Sequence, residues 1–121
     1  MGKGEKIRRE VMGDAFVDKA LAGANEFTQP MQELINDACW GTVWARGGLD
    51  RKTRSLVTIA MLAALRAPQE LKGHVRGALN NGASKEEIRE VLLQSMTYCG
   101  APACQEAFRA AREVIDSIDG V

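Results

Sequence analysis

Helix start and stop signals recur along the whole chain, while strand signals are almost absent. That pattern leaves little room for any fold but a helical one. Asp14 can cap a helix that follows Gly13. Thr28 can cap another, with Pro30 in its first turn, where the missing N–H has no partner to lose. This helix would run through "MQELINDACWGTVWAR". Gly47 and Gly48 break it, and Asp50 suits the start of the next. Pro68 begins a further helix, and Gly82 in "NNG" suits a left-handed position at its end. Ser84 and Glu87 have capping-box spacing, so that each side chain satisfies a free backbone N–H. "GAP" ends that helix near Cys99, and Pro102 starts the last one, which carries Phe108, Val114 and Ile118. The reading is a single all-α domain over residues 1–121, built from about six helices.

One helix is unusual. From Arg51 to about Arg66 it is apolar almost all round in its second half, with Leu56, Val57, Ile59, Ala60, Met61, Leu62 and Leu65. Such a helix must be covered on several sides. In a chain of 121 residues, that points to a subunit interface as well as a core, hence to a homo-oligomer. The same run, broken by Thr58, is too short to span a bilayer. Sixteen basic and 16 acidic residues cancel, so bulk charge gives no argument for nucleic acid or an anionic membrane as partner. The start, "MGKGEKIRRE", is charged and lacks the apolar region of a signal peptide. Three cysteines, an odd number, fit reduced thiols in a cytoplasm.

Chemistry must come from few residues. One histidine and no ligand cluster argue against a metal site, and no phosphate-binding glycine loop is present. Cys99 and Cys104 straddle the Gly-Ala-Pro break and do not form the CxxC of a dithiol centre. Cys39, before Trp40, reads as a small core residue. The lone His74 lies four residues after Glu70, which puts both on one helix face beside Leu71, Val75 and Leu79. A neighbouring carboxylate favours imidazolium and can fix its tautomer, as a general acid requires. From spacing alone, a hydrogen-bonded structural histidine is the reading that comes first. Arg46 and Arg54 flank the Gly-Gly loop and are either carboxylate ligands or solvated surface cations. Trp40 and Trp44 share a face that suits a core or a pocket wall, and Tyr98 either anchors the Gly-Ala-Pro turn or walls a site.

Four stretches together carry a resemblance: "RREVMGDAFVDKAL", "MQELINDACWGTVWARGGLD", "RKTRSLVTIAMLAAL" and "ELKGHVRGALNNGASKEEIREVLLQSMTYCGAPACQEAF". In this order they resemble the carboxymuconolactone decarboxylase family, within the wider alkylhydroperoxidase D-like superfamily. The resemblance covers nearly the whole chain. It implies a helical oligomer, commonly a hexamer built from dimers. It implies cofactor-independent decarboxylation of γ-carboxymuconolactone to β-ketoadipate enol-lactone, in protocatechuate breakdown. His74 lies where the family has its proposed catalytic histidine, with Glu70 in the same "EL..H" segment. "WG..W.R" carries Trp44 and Arg46, "RKTRSL" carries Arg54, and "YCGAP" carries Tyr98. The implied roles are His74 as acid or oxyanion donor, Glu70 as its orienting group, Arg46 and Arg54 as carboxylate binders, and Trp44 and Tyr98 as pocket walls. The family usually has Arg-Pro-Gly-Leu where this chain has Arg46-Gly47-Gly48-Leu49, and glycine loosens the loop because proline alone fixes φ. The peroxidase branch of the superfamily needs a CxxC that this chain lacks, which disfavours that alternative.

Overall fold

A computed structural model describes residues 2–120. Every regular element among them is helical: α1 (Lys3–Met12), α2 (Asp14–Ala22), α3 (Gln29–Leu34), α4 (Arg51–Ala64), α5 (Pro68–Asn80), α6 (Lys85–Cys99) and α7 (Ala101–Asp119). The expected all-α class is what the chain adopts, with seven α-helices where about six were expected. None of these helices is long and apolar enough to cross a membrane. The chain forms two compact units, Met1–Arg51 and Lys52–Val121.

In the first unit, α3 does not continue as the single α-helix that its sequence pattern predicts. It passes into a π-helix, Ile35–Val43. The wider turn is closed by i to i−5 bonds: Trp44 N–H donates to the Cys39 carbonyl at 2.9 Å. The Thr42 hydroxyl donates to the Asp37 carbonyl at 2.9 Å. Helix α1 lies directly against this segment. A Cβ built on Gly4 would overlap the Asn36 carbonyl, so only glycine lets the two backbones meet there. Trp40 and Trp44 stack with centroids 4.7 Å apart and planes 26° apart, in an apolar cluster with Ile7, Val11, Met12 and Val17. Cys39, expected in the core, is exposed. The widened register turns Trp40 inward and leaves its neighbour outside.

Two expected caps take other roles. Asp14 is the first residue of α2, after Gly13 at φ 90°, and it pairs with Arg9 at 3.1 Å. Arg9 also binds Glu5 and Asp18, so one guanidinium ties α1 to α2. Thr28 precedes α3 without capping it, because its hydroxyl accepts from the Asn25 N–H at 2.9 Å. The turn is instead organised by Asn25, whose side-chain oxygen accepts from the N–H groups of Phe27 and Thr28.

The second unit is a side-chain core. Ile59, Leu71, Val75, Ile88, Leu92 and Val114 are buried together, and Ala107, Ala110 and Ala111 line the inner face of α7. Small residues on α7 match the buried Gly73 and Gly77 on α5 and allow close helix packing. The capping box forms as expected. Ser84 Oγ accepts from Glu87 N–H at 3.0 Å, and Glu87 Oε1 accepts from Ser84 N–H at 2.9 Å. Glycines take the left-handed region where the sequence places turns, Gly82 at φ 94° and Gly100 at φ 90°. The apolar excess of α4 also has a structural counterpart. Ile59 and Ala63 face the core, while Val57, Met61 and Leu65 stay exposed.

Candidate active site

His74 sits in the middle of α5, between the buried Gly73 and Val75. It lies three residues after Leu71 and four before Ala78, both on the inner face, so it borders the core without entering it. Its side chain is half-buried and its Nδ1 is shielded from solvent. Glu70 is one turn earlier on the same helix, as its spacing predicts, but it is exposed. It makes no hydrogen bond or ion pair with any described residue, so the orienting contact to His74 is not formed here.

Arg54 projects from α4 in the same unit. It is half-buried with its Nε shielded from solvent, while its carbonyl accepts from the Thr58 hydroxyl at 2.8 Å. A histidine and a guanidinium that are both partly withdrawn from water act in a lower dielectric, where attraction to an anion is stronger. Tyr98, near the end of α6, is 83% exposed. It lines a cleft of about 500 Å³ between α4 and α6, with Leu56, Val57, Ala60, Val91 and Cys99. His74, Glu70 and Arg54 are not part of that lining.

Trp44 and Arg46 belong to the first unit. Trp44 is buried against Trp40, and Arg46 follows two residues later on an exposed turn, its N–H donating to the Val43 carbonyl at 3.1 Å. The packed indole fixes the point from which the Arg46 loop departs. Gly47 is exposed, lies outside the left-handed region, and a Cβ there would meet nothing within 4 Å. Neither backbone nor packing requires glycine at that position. Among the described residues, no group of three His, Cys, Asp or Glu side chains is placed to hold a metal ion.

Three polar side chains in the interior escaped the sequence reading: Arg8, Ser55 and Ser95, whose hydroxyl donates to the Leu92 carbonyl at 2.6 Å. Ser55, next to Arg54, is fully buried, and its hydroxyl has no hydrogen-bond partner. Ser55 follows four polar or charged residues in α4, so its surroundings in sequence give no signal of burial. Arg8 is 7% exposed in the first unit, where its Nη1 donates to Gln32 Oε1 at 2.9 Å and Asn36 Oδ1 at 3.0 Å. Burial lowers its pKa from the usual arginine value, opposed by the charge of Glu5. Arg8 is spaced by four from the buried Gly4 and Met12 on the inner face of α1, whereas Arg9, one position on, is half-buried and pairs with Glu5, Asp14 and Asp18.

Fold and side chains together define a class before they define a family. This is an all-α chain that offers a half-buried imidazole and a half-buried guanidinium from consecutive helices. The family model for the carboxymuconolactone decarboxylase family matches residues 29–113, and the chain belongs to that family. It is 47% identical over 116 residues to nitrosuccinic acid decarboxylase npaB of Metarhizium robertsii, covering 96% of this chain and 81% of that protein. It is 43% identical over 116 residues to 4-carboxymuconolactone decarboxylase of Acinetobacter baylyi, covering 96% of this chain and 87% of that one.

Proposed function

We propose that this chain decarboxylates a small dicarboxylic acid whose departing carboxylate sits on a carbon joined to a built-in electron sink. The observation that carries this reading is near-full-length identity to two decarboxylases whose named substrates share that chemistry. In γ-carboxymuconolactone, loss of CO2 leaves an electron pair on the ring γ-carbon. The ring double bond passes it to the lactone carbonyl, and protonation at the α-carbon gives the enol-lactone. In nitrosuccinic acid, loss of the carboxyl beside the nitro group leaves the pair on the nitro oxygens as a nitronate. Each substrate stabilises its own carbanion, so the protein is asked only to bind, neutralise and protonate.

The residues suit those tasks. His74 protonates the carbanion carbon or donates a hydrogen bond to the developing oxyanion. Arg54 and Arg46 hold carboxylates, for which a guanidinium offers two parallel N–H donors. Glu70 turns toward His74 when the dianion is bound, and Trp44 and Tyr98 support the walls. The finer reading is γ-carboxymuconolactone as substrate, in the cytoplasmic breakdown of protocatechuate, with nitrosuccinate favoured as a second substrate by the 47% identity. The exposed Val57, Met61 and Leu65, spaced by four on one side of α4, support assembly of copies through that helix, into a hexamer on the family pattern. The thiols give no support to a peroxidase. All three are free, and Cys104 is buried with its Sγ on the Leu92 carbonyl at 3.5 Å.

The test is CO2 release from each acid, with γ-carboxymuconolactone generated in situ from 3-carboxy-cis,cis-muconate. Turnover of either substrate supports the class, and their kcat/KM ratio names the physiological one. Release from neither overturns the proposal.

A further inference from the structure

The chain carries no net charge, yet the charged residues that line one groove in the second unit are all cations. The groove runs between α6 and α7 and encloses about 360 Å³. Lys85, Arg89, Arg109 and Arg112 line it, with no acidic residue among the lining. Its floor is apolar, formed by Leu92, Phe108 and Ile115. The four cations fall into two kinds. Lys85 is tied to Asp119 at 2.6 Å, and Arg112 to Asp116 at 3.3 Å. Arg89 and Arg109 are exposed and make no ion pair or hydrogen bond with any described residue.

A lone exposed arginine needs no explanation. Two unengaged guanidiniums facing one apolar cavity from opposite helices are a different matter. An apolar concavity with a few convergent polar groups is how small-molecule sites are built, and the volume falls within their usual range of roughly 300–1,000 Å³. Guanidinium forks match carboxylate geometry. We propose that this groove binds a small amphipathic organic anion, with an aromatic or aliphatic body on Phe108 and Ile115 and a carboxylate between Arg89 and Arg109. The concavity and its size favour a small molecule over a macromolecule, whose interface would need a broad surface of about 800 Å² per partner. None of the residues assigned to decarboxylation lines the groove, so the site is separate from that chemistry.

The test uses 4-phenylbutyrate, which has the apolar body and the carboxylate but no electron sink, and its neutral amide. Titrated into the full-length protein and followed by amide NMR shifts, 4-phenylbutyrate is expected to saturate, with shifts confined to α6 and α7. The neutral amide, and the Arg89→Gln/Arg109→Gln double variant, should each weaken binding by roughly tenfold or more, as expected for loss of charge-assisted hydrogen bonds. Decarboxylase turnover of the double variant should match wild type. Because the amide comparison is made on wild type, the outcome does not depend on the variant folding. No saturable binding, equal affinity for acid and amide, or shifts centred on His74 would overturn the proposal. A changed subunit number in the double variant would also overturn it, by assigning the groove to a second copy of the chain.

Discussion

Each of the two units of this chain owes its internal cohesion to a different kind of contact. In Met1–Arg51, α1 meets the π-helix backbone to backbone at Gly4, and one nitrogen of a buried guanidinium donates to two amide oxygens. In Lys52–Val121, aliphatic side chains from α4 to α7 fill a shared interior, and surface caps fix the helix ends. The first arrangement has no slack, because a backbone contact cannot move aside. The second can relax, because each side chain contributes a part. The difference suggests that the first unit is built to hold one local geometry, and the π-helix, a form that often marks functional segments, leads directly to Arg46.

The largest effect should come from the backbone contact. Gly4→Ala is expected to lower stability by more than about 4 kcal/mol, at the extreme of single substitutions. Leu71→Ala, which opens a cavity in the second unit, should cost about 2–5 kcal/mol, with part of the loss recovered by collapse of its neighbours. Urea denaturation of both variants makes the comparison. A Gly4→Ala loss well under about 4 kcal/mol would show that α1 can shift, and the contrast between the units would fail.

A smaller effect belongs to the capping box. Ser84→Ala should cost about 1 kcal/mol. Its partner Glu87 is held below the usual carboxylate range, first by the Lys52 ammonium at 2.8 Å and then by the Ser84 N–H. A lowered folded pKa means that the contribution is fully present above the unfolded value near 4.5 and is lost as pH falls through the folded value. Stability-versus-pH curves of wild type and Glu87→Gln, which removes the titrating carboxylate, should therefore converge in acid. Parallel curves would remove Glu87 from the cap.

The smallest effect tests the loop. Gly47→Ala should stabilise by about 0.5 kcal/mol, because the position is open and has no left-handed backbone to protect. A loss of stability would mean that Gly47 is held in a conformation that only glycine tolerates.

These contrasts also explain what could be read in advance. Ser84, Glu87, Gly82, Pro68 and Pro102 act through their own chemistry within a few residues, so the helices of the second unit and their ends were legible. The π-helix was not, since "INDACWGTV" has the composition of an ordinary helix and its register is set by packing against α1. For the same reason Cys39 was placed inside. Arg8, spaced by four from Gly4 and Met12, did carry a signal of its place on the inner face. At the candidate site, helical spacing placed Glu70 and His74 one turn apart and put His74 beside the core. It did not reveal that Glu70 faces solvent without a bond, because orientation depends on neighbours that spacing does not describe. Ser55, which follows Arg51-Lys52-Thr53-Arg54, gave no local sign that it is fully buried.

The central claim is that His74 moves the proton. It is tested most directly by steady-state decarboxylation of γ-carboxymuconolactone with wild type and His74→Ala side by side, circular dichroism confirming that both are folded. The account predicts a loss of at least about 100-fold in kcat, within the range of a positioned acid, with KM little changed. Equal turnover by the two proteins would contradict it and return His74 to a structural role at the edge of the core.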